Sequence, residues 1–342
     1  MRTPISDPLM VGPYRIVGRL ASGGMGWVYL GRSASGRALA VKVVRPEFAA
    51  DAEFRLRFAR EVEAARAVSG AFTAAVVDAD TQGDPPWLAT LYVPGPSLAE
   101  AVRADGPLAE SAVRVMAAGL VEALQAIHAA GVVHRDLKPA NVLLAEDGPR
   151  VIDFGISLFG AAANTITQVG TVMGTPPFMS PEQFRGEVAK QASDVFSLGA
   201  VLAFAATGVA PFGSGVGVMY RIIHERPALD GVPEGLRPLL ERCLAKSPQD
   251  RPDLAALLDE VLPRETAPDA PEPDPEPAPV PSWPPPAVAE GIRVRTDDLN
   301  ARNHSRGSVT SVPSCLLLHA QTLLDAGLTD RMVAEAVGRG GF

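Results

Sequence analysis

Residues 195–220 (VFSLGAVLAFAATGVAPFGSGVGVMY) contain no Asp, Glu, Lys or Arg, and residues 195–206 are almost wholly apolar. An apolar helix of that length falls short of the about 20 residues needed to cross a bilayer, and Gly208 and Pro211 stop it. The remaining solution is a helix buried on every side, which requires a large domain wrapped around it. The chain can supply one: it has 342 residues, of which 47% are hydrophobic and 20% charged, enough for two or three domains or for one large bilobal one. A net charge of −8 argues against general nucleic-acid binding, which leaves a basic footprint. The two cysteines, Cys243 and Cys315, fit a reducing compartment and exclude a disulfide framework or a cysteine zinc site. The opening MRTPISDPLM has neither the basic nor the apolar region of a signal peptide, and no membrane segment is expected.

Up to residue 93 the pattern is mainly that of strands. Residues 14–20, 27–31, 38–44, 76–80 and 87–93 are rich in β-branched and apolar residues. Residues 53–68 instead carry Phe54, Phe58, Val62 and Ala65 at helical spacing. After the break at Pro94-Gly95-Pro96 the pattern turns helical. Residues 109–130 place Val113, Leu120, Leu124 and Ile127 on one face and end at Gly131. Two strand-like pieces (142–144, 150–152) are followed by helices over 195–207, 218–224, 236–245 and 253–261. The expectation is an α+β chain. A small β-rich lobe with one helix (about 12–93) precedes a larger α-helical lobe (about 97–262). Residues 263–290 are proline-dense and acidic and read as an extended linker, with SWPPP as a spacer. Residues 291–342 read as a tail with short helical candidates at 315–326 and 330–337.

Four groups of residues carry chemistry. LASGGMGWVY (residues 20–29) places Gly23 and Gly26 in a strand–turn–strand context, where backbone N–H groups can approach phosphate oxygens. Lys42 stands inside an apolar strand as a cation able to reach phosphates. Its carboxylate partner is sought on the 53–68 helix. Glu61 lies beside the apolar stripe, and Glu53 and Glu63 are its rivals. HRDLKPAN (residues 134–141) provides a carboxylate to orient and deprotonate a hydroxyl (Asp136), a cation (Lys138) and an amide oxygen (Asn141). Asp153, in the DFG that follows the second strand-like piece, would lie beside Asn141 if the two pieces form a hairpin. That carboxylate and amide oxygen suit Mg²⁺.

These motifs, in this order and with GTPPFMSPE (174–182), DVFSLG (194–199) and Arg251 of QDRP, resemble the protein-kinase family over about residues 12–262. The similarity is specifically to bacterial, actinobacterial-type Hanks serine/threonine kinases. It implies the bilobal kinase fold and transfer of the γ-phosphate of ATP, with Mg²⁺, to Ser or Thr of protein substrates. It assigns Asp136 as catalytic base and Lys138 to the γ-phosphate. Asn141 and Asp153 become the magnesium ligands, and Lys42 and Glu61 an ion pair that positions ATP. Leu20, Ala21, Ser22, Gly23, Gly24, Met25 and Gly26 would form the phosphate loop. Val28, Ala40 and Leu143 would sandwich adenine, with Leu91–Val93 as hinge and Thr90 at the back. Glu182 and Arg251 would pair in the large lobe, and Asp194 would brace the catalytic loop. Lys138, two places after Asp136, resembles serine/threonine rather than tyrosine kinases. Arg135 implies control by phosphorylation of segment 153–182, with Thr165, Thr167 and Thr171 as sites of autophosphorylation, in trans through self-association. Thr175 is expected to be a structural contact. A cytoplasmic enzyme without nucleic-acid partners is implied.

Three positions depart from the family pattern. Ala21 replaces the first loop glycine, Leu91 stands where an acidic hinge residue is common, and Ala65 is smaller than the residue that often packs on the DFG phenylalanine. Two other readings are a catalytically weak pseudokinase scaffold and a small-molecule phosphotransferase. The intact Lys42, Asp136 and Asp153 oppose the first, and GTPPFMSPE opposes the second.

Overall fold

The computed structural model describes residues 7–154, 176–262 and 283–304. Residues 155–175, with Thr165, Thr167, Thr171, Thr175 and Gly155 of the DFG, lie outside the described residues. So do residues 263–282 and the helical candidates at 315–326 and 330–337.

The small lobe is built on alternation. Strands β1 (Met10–Val11), β2 (Tyr14–Ser22), β3 (Gly26–Arg32) and β4 (Ala38–Val44) lead into helices α1 (Pro46–Ala49) and α2 (Ala52–Ala67), then β5 (Val76–Asp80) and β6 (Trp87–Leu91). They form one antiparallel sheet in the order β1-β2-β3-β4-β6-β5. On β4 the odd residues Leu39, Val41 and Val43 join Tyr14, Tyr29, Trp87 and Ala89 in a cluster on one face. The period of two in a strand therefore turns Ala40 and Lys42 to the opposite face. On that side Val44 and Leu88 pack with Phe54, Phe58 and Val62 of α2, so the predicted apolar stripe of that helix is the one buried. Asp51 caps α2 by accepting from the N–H groups of Glu53 and Phe54. The small lobe has two helices rather than one. The one-turn α1 forms because Pro46 supplies a helical φ at its first position, and four residues are too few to show periodicity.

The large lobe begins with α3 (Leu98–Asp105), capped by a reciprocal Ser97/Glu100 box, and α4 (Glu110–Ala129). Among the described residues α4 is long and apolar enough to cross a membrane. Here its Val113, Met116, Leu120, Leu124 and Ile127 are wholly enclosed by the lobe's core. The hairpin β7 (Val142–Ala145) and β8 (Gly148–Val151) follows. Then come α5 (Pro181–Phe184), α6 (Gln191–Thr207), α7 (Val218–His224), α8 (Arg237–Cys243) and α9 (Leu254–Val261). The apolar part of the uncharged run, residues 195–206, forms the body of α6 and is almost wholly buried, as its composition requires. Gly199 within it is a packing requirement: a Cβ there would stand 2.6 Å from the Cβ of Cys243 on α8.

The reading of 263–290 as a linker fails over its last part. Helix α10 (Pro286–His304) follows Trp283, and Val288 and Ile292 are buried in the large-lobe core. Pro286 is tolerated because a proline in the first turn loses no helical hydrogen bond, and the apolar side chains gain burial against a lobe far away in sequence.

Glu182 and Arg251 form a two-pronged ion pair at 2.7 and 2.8 Å, with both side chains almost fully buried. Burial opposes the charge on Glu182, but bonds from Arg251 and Ser193 outweigh it and hold the carboxyl below its usual pKa. The stabilisation is thus present above the unfolded carboxylate pKa, about 4.3, and is lost as pH falls through the lower folded value. Arg251→Met should lower unfolding stability by about 3–5 kcal/mol, since it strands a buried carboxylate. The double variant Arg251→Met/Glu182→Leu should recover part of that loss, as read from urea midpoints at pH 7.

Candidate active site

The catalytic loop is held from below by one carboxylate. Asp194, at the start of α6, is wholly buried. It accepts the backbone N–H groups of His134 (2.8 Å) and Arg135 (2.9 Å), and its Oδ2 lies 2.7 Å from His128 Nε2 on α4. Arg135 adopts φ +69°, in the left-handed region where a non-glycine residue needs outside support. That support comes from both sides of the residue, because Gln183 Nε2 donates to the Arg135 carbonyl at 2.8 Å. Residue reading missed His128 and Gln183. The spacing Ser180-x-x-Gln183 is a capping-box signal that could have marked the start of α5.

Asp136 follows directly from this anchored turn. Its carboxylate receives Lys138 Nζ at 2.7 Å, and its carbonyl accepts from Asn141 Nδ2 at 2.8 Å. The amide group of Asn141 is thereby oriented, with its Oδ1 left as an acceptor. The expected hairpin exists: Val142 pairs with Val151, and Ile152 N–H donates to Asn141 O at 3.0 Å, bringing Asp153 beside Asn141. Asp153 is also left-handed (φ +58°). Among the described residues no three His, Cys, Asp or Glu side chains converge on a metal position. The donor set is one carboxylate and one amide oxygen, which fits Mg²⁺ completing its shell with substrate phosphates and water.

One expected contact is replaced by another. Lys42 pairs with Asp153 at 3.1 Å and not with Glu61. Burial disfavours charge on Asp153, but Lys42, helped by Lys138 and His134, keeps its carboxyl below the usual range. Some 39% of that side chain is still exposed, so solvent screens the pair. The buried Glu61 Oε2 has no hydrogen-bond partner among the described residues. Burial pushes the Glu61 pKa up to about 7, against the opposing pull of Arg135, Arg57 and Lys42. Two carboxylates lie near one ammonium, and Asp153 has it.

The nucleotide-side residues fall on one surface. Val28 lies directly across from Lys42, and Ala40 across from Thr90, so all four side chains share the sheet face opposite the Tyr14–Trp87 cluster. Leu143 on β7 lies half-buried on the other lobe. The Leu20–Gly26 turn is closed by Gly23 N–H to Gly26 O (2.9 Å), and Arg45 donates to Gly23 O. Ser22, Gly23 and Gly24 are exposed and Met25 half-buried. Ala21 sits in the β2–β3 ladder opposite Val28, a strand position that alanine fills without strain. At the hinge, Leu91 N–H bonds Ala75 O and Tyr92 N–H bonds Ala38 O. The Val93 N–H has no hydrogen-bond partner among the described residues. Ala65 and Phe154 are both buried in the large core.

Residues 14–262 match the family model described as "Protein kinase domain". The chain is 55% identical over 260 residues to the serine/threonine-protein kinase AfsK of Streptomyces coelicolor, covering 75% of this chain and 32% of that protein. It is 36% identical over 285 residues to the serine/threonine-protein kinase PknB of Mycobacterium leprae, covering 80% of this chain and 45% of the relative. The chain thus spans less than half the length of either relative. Its structure resembles the crystal structure of the Mycobacterium tuberculosis PknI kinase domain, with a TM-score of 0.60 and 26% identity, covering 76% of this chain and all of that one. The braced Asp136 loop, the Asn141–Asp153 hairpin and the match across 14–262 together place this chain in the protein kinase domain family.

Proposed function

We propose that the chain is a serine/threonine protein kinase that transfers the γ-phosphoryl group of Mg-ATP to Ser or Thr hydroxyls of proteins. The observation that carries this reading is Asp136, fixed by Lys138 and Asn141, with Asn141 tied through the Ile152 N–H to the segment that carries Asp153 and its partner Lys42. Asp136 orients the acceptor hydroxyl and takes its proton as the new P–O bond forms. Lys138 is shared between Asp136 and the transferring phosphoryl, and Lys42 contributes positive charge along the phosphate chain. Asn141 and Asp153 would hold magnesium, which neutralises charge on the phosphate oxygens. The residues of the Leu20–Gly26 turn offer backbone N–H groups, and Val28, Ala40 and Leu143 offer apolar surface to the adenine ring.

The similarity to proteins named serine/threonine kinases supports a Ser/Thr acceptor, as does Lys138. Autophosphorylation on Thr165, Thr167 or Thr171, in trans between two copies, is part of the same proposal. The phosphate would gain charge-assisted bonds to Arg135. A cytoplasmic location without membrane insertion belongs to it as well. Intact-mass and peptide analysis after incubation with Mg-ATP should find added phosphate on the 153–182 peptide, and its absence would sink that part.

Asp136→Asn should cut ³²P transfer to a generic protein acceptor by about 10²–10⁴-fold with nucleotide binding retained. Equal transfer by the two proteins, or none by the unaltered chain, would favour the scaffold reading. For Glu61 the sign runs opposite to Glu182. Its raised folded pKa means that the folded state holds the proton more tightly than the unfolded chain. Its contribution to stability is therefore lost as pH rises from about 4.3 through about 7. Glu61→Gln should flatten the fall in Tm of the nucleotide-free protein between pH 5.5 and 8, by about 2–4 °C. The same variant should lower transfer activity if Lys42 exchanges Asp153 for Glu61 during turnover.

A further inference from the structure

Helix α10 touches both lobes across the outside of the hinge. Its contacts form one stripe: Val288, Ile292, Arg295 and Leu299 follow at steps of four, three and four, the spacing of a single helix face. At the large-lobe end, Trp283 packs on the core and its Nε1 donates to Ala145 O of β7 at 3.0 Å. Val288 and Ile292 are 2% and 8% exposed. In the middle, Gly291 lies against Pro96, where the hinge enters α3. Arg295 pairs at 3.1 Å with Glu100, the same carboxylate that accepts the Ser97 N–H in the α3 cap. At the far end, Arg32 on β3 of the small lobe donates to the Leu299 carbonyl at 2.6 Å and to Gly36 O at 2.8 Å. Arg32 is itself 7% exposed, a burial that a cation accepts only with such partners.

Both ends of this span connect through backbone to the nucleotide pocket. On the large-lobe side, Leu144 N–H bonds Pro96 O and Leu143 bridges Ser97, so the hinge exit and the adenine floor are one unit. A Cβ on Gly95 would stand 2.1 Å from Leu144 O, so that join is close-packed. On the small-lobe side, Arg32 pairs with Ala38, whose carbonyl takes the Tyr92 N–H, and Ala40 pairs with Thr90. The helix thus links the strand that carries the pocket's ceiling to the strand that carries its floor.

We propose that residues 283–300 form a hinge brace, with Trp283 and Arg32 as positioning residues that set the spacing of the two lobes for nucleotide. None of these residues touches the pocket; they act through β3, β7 and the hinge. The proposal rests on the kinase reading, because the ligand it positions is the nucleotide. A brace of this kind pre-pays the ordering of the hinge, so releasing it weakens nucleotide binding more than it slows the chemical step.

The test uses the full chain in the Asp136→Asn background, with Mg-ATP titrated by calorimetry and hydrogen exchange followed at 92–96 and 142–145 without nucleotide. Arg32→Met removes the inter-lobe bond and should leave α10 docked on the large lobe. Trp283→Ala releases the other end. Each should weaken Mg-ATP binding about 5- to 20-fold, the usual size of a coupling between separate sites, and speed exchange at 92–96. Arg32→Lys, which keeps a donor, should restore most of the affinity. In the otherwise unaltered enzyme, Arg32→Met should raise the KM for ATP more than it lowers kcat. A lowered Tm with affinity and hinge exchange unchanged would overturn the proposal and leave α10 a purely structural helix. Should Trp283→Ala fail to fold, the Arg32→Met and Arg32→Lys pair decides alone. Failure of the parent protein to bind Mg-ATP would overturn the kinase reading itself, an outcome separate from equal binding by parent and variants.

Discussion

The carboxylate of Asp194 sits at zero exposure with two loop N–H groups and an imidazole directed at it. A buried charge is costly unless its acceptor sites are filled, and here the groups that fill them are the backbone of His134 and Arg135. The strained turn at Arg135 and the position of Asp136 both follow from that exchange. Because Asp194 stands at the start of a helix buried almost throughout, this loop is referenced to the packed centre of the large lobe. Gln183 closes the arrangement by holding the Arg135 carbonyl, and Glu182 beside it is locked to Arg251.

The cleft above this loop is governed by a shortage of cations. Lys42 serves Asp153, and Glu61 is left buried with an oxygen unpaired and its proton retained up to about pH 7. Moving the lysine to Glu61 would release Asp153 toward a metal and remove an unpaired buried group at the same time. The balance depends on how α2 and the two lobes are set against each other. Phe72, Thr73 and Ala74, after α2, are bonded or bridged to β8. Among the described residues the hinge, α10 and the Lys42–Asp153 pair also tie the lobes together.

Much of this was legible in the residues. The apolar run 38–44 marked Lys42 as a cation set within a strand, and the face it takes followed from the packing of Leu39, Val41 and Val43. The stripe Phe54–Phe58–Val62–Ala65 picked out the buried face of α2, and the apolar stretch 195–206 found its place inside the large lobe. The hairpin that joins Asn141 to Asp153 was readable from two short β-branched pieces. Short helices such as α1 and α5 were not, since one turn shows no period. Helix α10 was hidden by the prolines ahead of it and by the charges on its exposed sides. Its stripe includes Arg295 and the Leu299 carbonyl, which no apolar pattern registers.

The sequence by itself determined the chemical inventory, its order along the chain, and which face of each regular element is apolar. These are properties of neighbouring residues, set by steric periods of two and 3.6. Only the tertiary structure decided that Lys42 pairs with Asp153, that Val93 holds the open hinge N–H, and that Trp283 and α10 lie across the hinge. Each of those outcomes is a competition between groups far apart in the chain, settled by how whole elements pack and by which buried polar atoms find partners.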